Sequence, residues 1–271
     1  MRRQYLDIAG GQLHYREARA PAGSPSRTPV ICLHQTPTSS REFEPLMREL
    51  ALDRWVVAPD TPGYGASDPP PEPASIDDFA QAMLAVVSQL QAMGRLPSGP
   101  VDVLGYHTGA IVAVAMATLA AGQVANLVLM SLAAYPADVR ARKRAALADW
   151  PVPRDDGSHL QALWSQIGAL TDPRMDADWK HASLTENCRA GARGTWGYDA
   201  VYRYDFQAAL DHLRHPVLIL NPEDDLFQPT AANAPRVPHA RYLELAGMKH
   251  GLFQAESSRI ARLIEDFLAS C

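Results

Sequence analysis

The chain has 271 residues, of which 47% are hydrophobic and 20% charged, enough to form one large α/β domain with an insertion. Its 25 basic and 30 acidic residues give a net charge of −5 with no long run of one sign, which excludes the basic footprint of a nucleic-acid-binding or membrane-surface protein. The amino terminus lacks an apolar signal core and no apolar run reaches about 18 residues, so we expect neither a signal peptide nor a membrane span. Three irregularly spaced cysteines favour a reducing, cytoplasmic location over a disulfide or zinc framework.

Short apolar runs alternate with helical patterns along the chain. Residues 5–17 contain two such runs around a Gly-Gly pair, which predicts a β-hairpin. A proline-rich loop then leads to a buried strand at residues 29–33. The sequence from Ser39 to Glu42 has the pattern of a capping box and predicts the start of a helix.

The remaining elements continue the alternation. Apolar runs predict strands at residues 55–58, 101–104, 127–130, 216–220 and 240–245. Helical periodicity predicts helices at about residues 75–93 and 260–267. This order of strand, loop and helix predicts an α/β fold with a mostly parallel sheet and helices on both faces.

One interval in this alternation is long. About eighty residues separate the strands at 127–130 and 216–220, and loops of that length are uncommon without structure of their own. We therefore expect an inserted helical cap at residues 135–214. The core domain would then comprise residues 1–134 and 215–271.

A pentapeptide with histidine at its centre follows the strand at residues 101–104. Gly105 and Gly109 flank Tyr106, His107 and Thr108, and a stretch of small residues continues to position 121. Glycines at this spacing permit a strained turn from strand to helix, which lifts the central side chain above the sheet. The pattern predicts that His107 faces a ligand pocket.

An acid and a second histidine follow in the chain. Asp225 lies in an acidic loop after the strand at 216–220, and His250 follows the strand at 240–245. Alone, each would be interpreted as an exposed loop residue. Together they lie at the carboxyl edge of the sheet, where open α/β sheets bind ligands, and an acid that orients one ring nitrogen leaves the other as a base.

Two backbone amides could complete the site. Gln35 follows the strand at 29–33, where an oxyanion-binding N–H would lie, and Thr108 would supply the second donor. A plain turn residue is an equally good interpretation of Gln35.

These motifs together resemble the capped α/β-hydrolases, the class that includes haloalkane dehalogenases, epoxide hydrolases and meta-cleavage carbon–carbon hydrolases. The resemblance covers the whole chain. The matching motifs are His34-Gln35, residues 59–67, the pentapeptide Gly105–Gly109 (the elbow), the acidic loop that contains Asp225 and the loop that contains His250. It implies an eight-stranded sheet and a catalytic set of His107, Asp225 and His250. The chain departs from the family at His107, which replaces a serine, aspartate or cysteine nucleophile.

Several roles are open to His107. As a neutral imidazole, with an ordinary pKa of about 6.5, it could attack an acyl carbon or hold a water together with His250. Two close imidazoles should resist double protonation, so one is expected to titrate below its ordinary pKa. The alternatives are an acid/base lyase, a non-catalytic small-molecule receptor, a metal site formed with Asp225 and His250, and an engineered substitution.

Aromatic residues concentrate in the predicted cap. They include four of the five tryptophans, Trp150, Trp164, Trp179 and Trp196. These residues suit an apolar or aromatic ligand, although the cap also needs a core of its own. We therefore expect a hydrolase without a cofactor that acts on a small ester, amide or related acyl compound, with no nucleic-acid or membrane partner. The oligomeric state stays open.

Overall fold

The computed structural model describes residues 1–21 and 27–271. Residues 22–26, part of the expected proline-rich loop, lie outside the described residues. The strands are β1 (Arg2–Ile8), β2 (Gly11–Ala18), β3 (Val30–Leu33), β4 (Val56–Pro59), β5 (Val101–Tyr106), β6 (Val124–Met130), β7 (Val217–Pro222) and β8 (Arg241–Leu245).

These strands form one eight-stranded sheet in the order β1-β2-β4-β3-β5-β6-β7-β8. The pairs β1/β2 and β2/β4 are antiparallel, and every pair from β4/β3 to β7/β8 is parallel. The predicted hairpin is present, with Ile8 opposite Gly11. The predicted fold class, a mostly parallel sheet of eight strands, is confirmed.

Eleven α-helices occur in the described residues. They are α1 (Glu44–Leu50), α2 (Ile76–Ala92), α3 (Thr108–Leu119), α4 (Ala137–Ala145), α5 (Ser158–Leu170), α6 (Ala177–Ala190), α7 (Trp196–Arg203), α8 (Phe206–Asp211), α9 (Phe227–Asn233), α10 (Leu252–Ala255) and α11 (Ser257–Leu268). Among them, no helix has the length and apolarity needed to cross a bilayer.

The sheet separates two hydrophobic cores. Side chains alternate across β5, so Val103 packs with α2, α3 and α8, whereas Leu104 packs with α1, α10 and α11. Helix α3 is buried from Thr108 to Ala117, which explains its small residues: it crosses the sheet between neighbours that leave room for little else.

The segment between β6 and β7 is helical but not uniform. Helix α4 has no buried residue, and only Leu163 is buried in α5. Phe206 and Leu210 of α8, in contrast, belong to the same core as α2 and α3. A cap at 135–214 therefore stays an interpretation, and the end of that segment is packed as part of the sheet's cover.

The capping box predicted at Ser39 is wrong. Residues Ser40–Phe43 form a 3-10 turn before α1, and the Ser39 hydroxyl accepts from the Arg41 N–H at 3.3 Å. The Glu42 carboxylate does not return to the Ser39 backbone. It turns instead toward Gln35, because two amide donors of that residue are available there.

Candidate active site

The elbow places His107 between strand β5 and helix α3. His107 has φ 52° and ψ −114°, in the region that L-residues rarely adopt. A side chain at Gly105 would overlap the Gly109 backbone, and one at Gly109 would overlap the Leu33 carbonyl. The two glycines are therefore required for the bend, and the bend raises His107 to the carboxyl edge of the sheet.

Asp224 is the partner of His107. The Nε2 atom of His107 lies 3.0 Å from Asp224 Oδ2, and the Asp224 side chain is 0% exposed. The same oxygen accepts from the Ser131 hydroxyl at 2.5 Å and, more distantly, from the Tyr106 hydroxyl at 3.4 Å. Ser131, at the end of β6, has φ 58°. Three elements thus fix a carboxylate that the sequence interpretation passed over in favour of Asp225.

Asp225 pairs with His250. The Nε2 atom of His250 lies 2.8 Å from Asp225 Oδ1. This carboxylate is 43% exposed, whereas the His250 side chain is 13% exposed. The backbone of His250 is held from the helical insertion, because the Asp172 N–H donates to the His250 carbonyl at 2.9 Å.

The two pairs adjoin each other. The ring centroids of His107 and His250 are 5.1 Å apart. One ligand atom from each of His107, Asp224, Asp225 and His250 lies within 4.8 Å of the others, so these four could hold a metal ion. The structure thus brings together the three predicted residues, and it adds Asp224 to them.

The charges of the site favour protonation of His107. Burial alone would lower its pKa, but the adjacent Asp224 carboxylate, with contributions from Asp225 and Glu42, raises the pKa above the ordinary value. Burial opposes ionisation of Asp224 and Asp225 too, yet hydrogen bonds and charges from the histidines lower both pKa values. The carboxylate partner of His107 therefore opposes the neutral form that a role as nucleophile requires.

Gln35 and Glu42 form a polar contact in the same region. The Gln35 N–H donates to Glu42 Oε1 at 3.0 Å, and the Gln35 side-chain amide donates to Oε2 at 2.9 Å. Burial raises the pKa of Glu42 to about 7. The amide expected to bind an oxyanion thus already has an acceptor. Thr108 is buried at the first position of α3. The oxyanion roles of Gln35 and Thr108 stay predictions.

A cavity of about 770 Å³ lies between the helical insertion and the sheet edge. His250, Gln35 and Glu42 border it from the core. From the insertion it is bordered by Trp150, Leu163, Gln166, Ile167, Leu170, Thr171, Arg174, Met175, Asp176, Asp178, Trp179, Ala182, Ser183, Glu186, Asn187 and Tyr198.

The four predicted pocket tryptophans therefore divide into two groups. Trp150 and Trp179 border the cavity, and Trp150 packs against Tyr198 with ring centroids 5.0 Å apart. Trp164 and Trp196 lie outside its lining. The cavity wall also carries charged groups, so aromatic side chains describe only part of it.

Comparison with known proteins identifies the family of this chain. Residues 28–254 match the family model described as alpha/beta hydrolase fold. This chain belongs to the alpha/beta hydrolase fold family. The predicted resemblance to that superfamily is thus confirmed, and the coarse class is a hydrolase of this fold family.

Individual relatives are more distant. A pimeloyl-acyl carrier protein methyl ester esterase of Aromatoleum aromaticum is 28% identical over 261 residues, covering 89% of this chain and 98% of that protein. A bromoperoxidase structure from Bacillus anthracis has a TM-score of 0.80 at 17% identity, covering 99% of this chain and 100% of the other. A hydrolase structure from Pseudomonas aeruginosa has a TM-score of 0.77 at 20% identity, covering 98% of both chains. These structures support the fold.

Proposed function

We propose that this chain hydrolyses small, largely apolar or aromatic esters, amides or related acyl compounds with His107, Asp225 and His250, assisted by Asp224. One observation carries the proposal: two imidazoles, each paired with its own carboxylate, adjoin at the elbow beside a cavity large enough for a small molecule.

Direct attack by His107 is the weaker route. Its Nε2 atom is engaged by Asp224, its side chain is 12% exposed, and it does not border the cavity. The raised pKa of His107 also reduces the neutral form that could act as a nucleophile. Water is the better nucleophile, because His250 borders the cavity and the His107 ring lies beside it, with 5.1 Å between the ring centroids.

His250 is the better general base, since it borders the cavity. With Nε2 on Asp225, its Nδ1 atom remains available, because the Tyr106 hydroxyl at 3.5 Å is too distant for a strong hydrogen bond. His250 accepts a proton as water adds to the acyl carbon. It then returns that proton to the leaving oxygen or nitrogen as the acyl bond breaks, which yields an acid and an alcohol or amine.

The cavity supports a neutral acyl substrate. Trp150 and Trp179 offer apolar surfaces on the insertion side. The Glu42 carboxyl group on the cavity wall and the Asp225 carboxylate bonded to His250 disfavour a negatively charged group near the base. The relative named as a methyl ester esterase is consistent with an ester as the scissile group.

A panel of neutral and carboxylate-bearing aryl esters tests this proposal. We expect His250→Ala and His107→Ala each to lower kcat by about 100-fold or more, with smaller changes in KM. His239→Ala is the matched control, because His239 is exposed and precedes β8 at the opposite edge of the sheet. Unchanged turnover in both site variants would contradict the proposal. Ligand binding without any turnover would instead indicate a receptor.

A lyase is the second candidate, and it rests on the presence of His107 where the family has a nucleophile. With His107 at the elbow, the site has two imidazoles and three nearby carboxyl groups but no side-chain hydroxyl, thiol or carboxylate at the nucleophile position. That set suits proton transfer without a covalent step. Reaction in ¹⁸O-labelled water separates the two: a hydrolase incorporates the label into the acid product, and a carbon–carbon lyase does not.

A further inference from the structure

The four side chains at the elbow are of the types that bind transition metals, and their ligand atoms lie close together. His107, Asp224, Asp225 and His250 each offer a ligand atom within 4.8 Å of the other three. Metal–ligand bonds of about 2.0–2.2 Å place neighbouring ligand atoms roughly 3.0–3.4 Å apart and opposite ones about 4.2 Å apart. The two His–Asp pairs already have the spacing of adjacent ligands, and the wider separations in the cluster would contract as an ion binds.

The orientation of the rings points the same way. In a Ser-His-Asp relay, the acid holds Nδ1 of the histidine and Nε2 faces the nucleophile. Here both imidazoles direct Nε2 toward the aspartates, at 3.0 Å for His107 and 2.8 Å for His250. An N···O separation of this size is also the distance between adjacent ligands of one ion, and each ring would turn its nitrogen from the carboxylate oxygen toward the ion as it binds.

The surroundings would hold such a ligand set in place. Asp224 accepts from the Ser131 hydroxyl at 2.5 Å, and the elbow backbone fixes His107. Metal ligands are commonly oriented by outer hydrogen bonds of this kind. His250 and the exposed Asp225 leave the cluster accessible from the solvent and the cavity side.

We propose that His107, Asp224, Asp225 and His250 bind one divalent first-row transition-metal ion. Two imidazoles and two carboxylates are a donor set suited to zinc, manganese, iron or cobalt, and less suited to calcium or magnesium, which prefer oxygen ligands. Metal binding goes beyond the proposed hydrolysis, because it needs no substrate and is measured without one.

Calorimetric titration of the full chain, first freed of metal with a chelator, tests this site. We expect Zn²⁺ and Co²⁺ to bind with one equivalent per chain, and Mg²⁺ to bind more weakly. His107→Ala, Asp224→Asn and His250→Gln should each lower Zn²⁺ affinity by more than about 100-fold, and Ser131→Ala by about 10-fold, because its hydroxyl acts through Asp224. His239→Ala should bind as the unaltered chain does.

Two outcomes would overturn the metal site. One is the absence of a stoichiometric Zn²⁺ or Co²⁺ complex, and the other is unchanged affinity in the ligand variants. Visible absorption of the Co²⁺ complex gives a second reading: it should be lost in Asp224→Asn while circular dichroism shows the fold retained. If no ion binds but aryl esters are hydrolysed, the metal site alone fails. If an ion binds and no ester is hydrolysed, the proposed function alone fails.

Discussion

The two His–Asp pairs have nearly the same N···O distance and quite different surroundings. Asp224 and Asp225 are consecutive residues, and each lies about as far from its histidine as the other, at 3.0 and 2.8 Å. Asp224 is fully covered and accepts from Ser131 as well, whereas Asp225 is 43% exposed. Water can replace the histidine as a partner of Asp225 but not of Asp224. Burial, rather than the N···O distance, therefore determines how much each pair contributes to the stability of the fold.

This difference also separates two roles. The His107–Asp224 pair is anchored by the elbow and the end of β6, so it forms the rigid base of the site. The His250–Asp225 pair borders the cavity and is tied to the insertion through the Asp172 N–H. Motion of the insertion would reach His250 before it reached His107.

Replacing each of the two acids by asparagine tests whether burial distinguishes the two His–Asp pairs. Asp224→Asn leaves a covered imidazole without its charge partner and should lower the free energy of unfolding by about 3–5 kcal/mol. Asp225→Asn should lower it by less than about 1 kcal/mol, because solvent takes over. Urea denaturation of both variants, with a chelator present, measures the difference. Equal losses would show that burial does not distinguish the pairs.

Glu42 tests burial through pH. Burial raises its pKa in the folded chain from 4.5 to about 7. Between those values the unfolded chain has lost the proton that the folded chain keeps, so Glu42 reduces stability as pH rises through that window. The cost should reach about 3 kcal/mol by pH 8.

Replacing Glu42 by glutamine should remove this dependence. We expect Glu42→Gln to be more stable than the unaltered chain at pH 8, with the two converging near pH 4.5. Glu72→Gln, in an exposed loop, is the control and should show no gain. Parallel stability curves for Glu42→Gln and the unaltered chain across this range would contradict the assignment.

Much of the fold could be predicted because its central strands are buried on both faces. Residues 217–220 of β7 are apolar without interruption, and the glycines of the elbow permit the tight turn found there. Apolar patterning and steric exclusion are local properties, so they are visible in the sequence.

The site could be predicted only in part, because its partners are chosen by tertiary contacts. Asp224 and Asp225 are neighbours in the sequence, and distant residues such as Tyr106 and Ser131 distinguish them by contacting Asp224. Glu42 has the local pattern of a capping residue, and two amide donors of Gln35 compete successfully for it. The signal for Asp224 in the sequence was its place beside Asp225 in the same acidic loop.

Ser131→Ala should weaken the buried His107–Asp224 pair and leave the His250–Asp225 pair unchanged. Loss of a 2.5 Å hydrogen bond to a buried carboxylate should lower the free energy of unfolding by about 1.5–3 kcal/mol, and Asp225 should be unaffected. The control is Ser88→Ala, because Ser88 is exposed and its contact to Gln123 is long, at 3.5 Å. Thermal or urea denaturation measures both, and similar small losses would remove Ser131 from the account of the buried pair.

Trp179 should contribute modestly to substrate binding on the cavity side of the site. Trp179 borders the cavity and lies close to Gly251, next to His250, whereas Trp164 occupies the same insertion outside the lining. Trp179→Ala should raise KM for aryl esters about tenfold, about 1.4 kcal/mol of binding, with little change in kcat. Trp164→Ala should leave KM nearly unchanged. If both variants raise KM equally, the effect reflects packing of the insertion and not contact with the substrate. The result would then not support the His250–Asp225 pair as the one that faces the substrate.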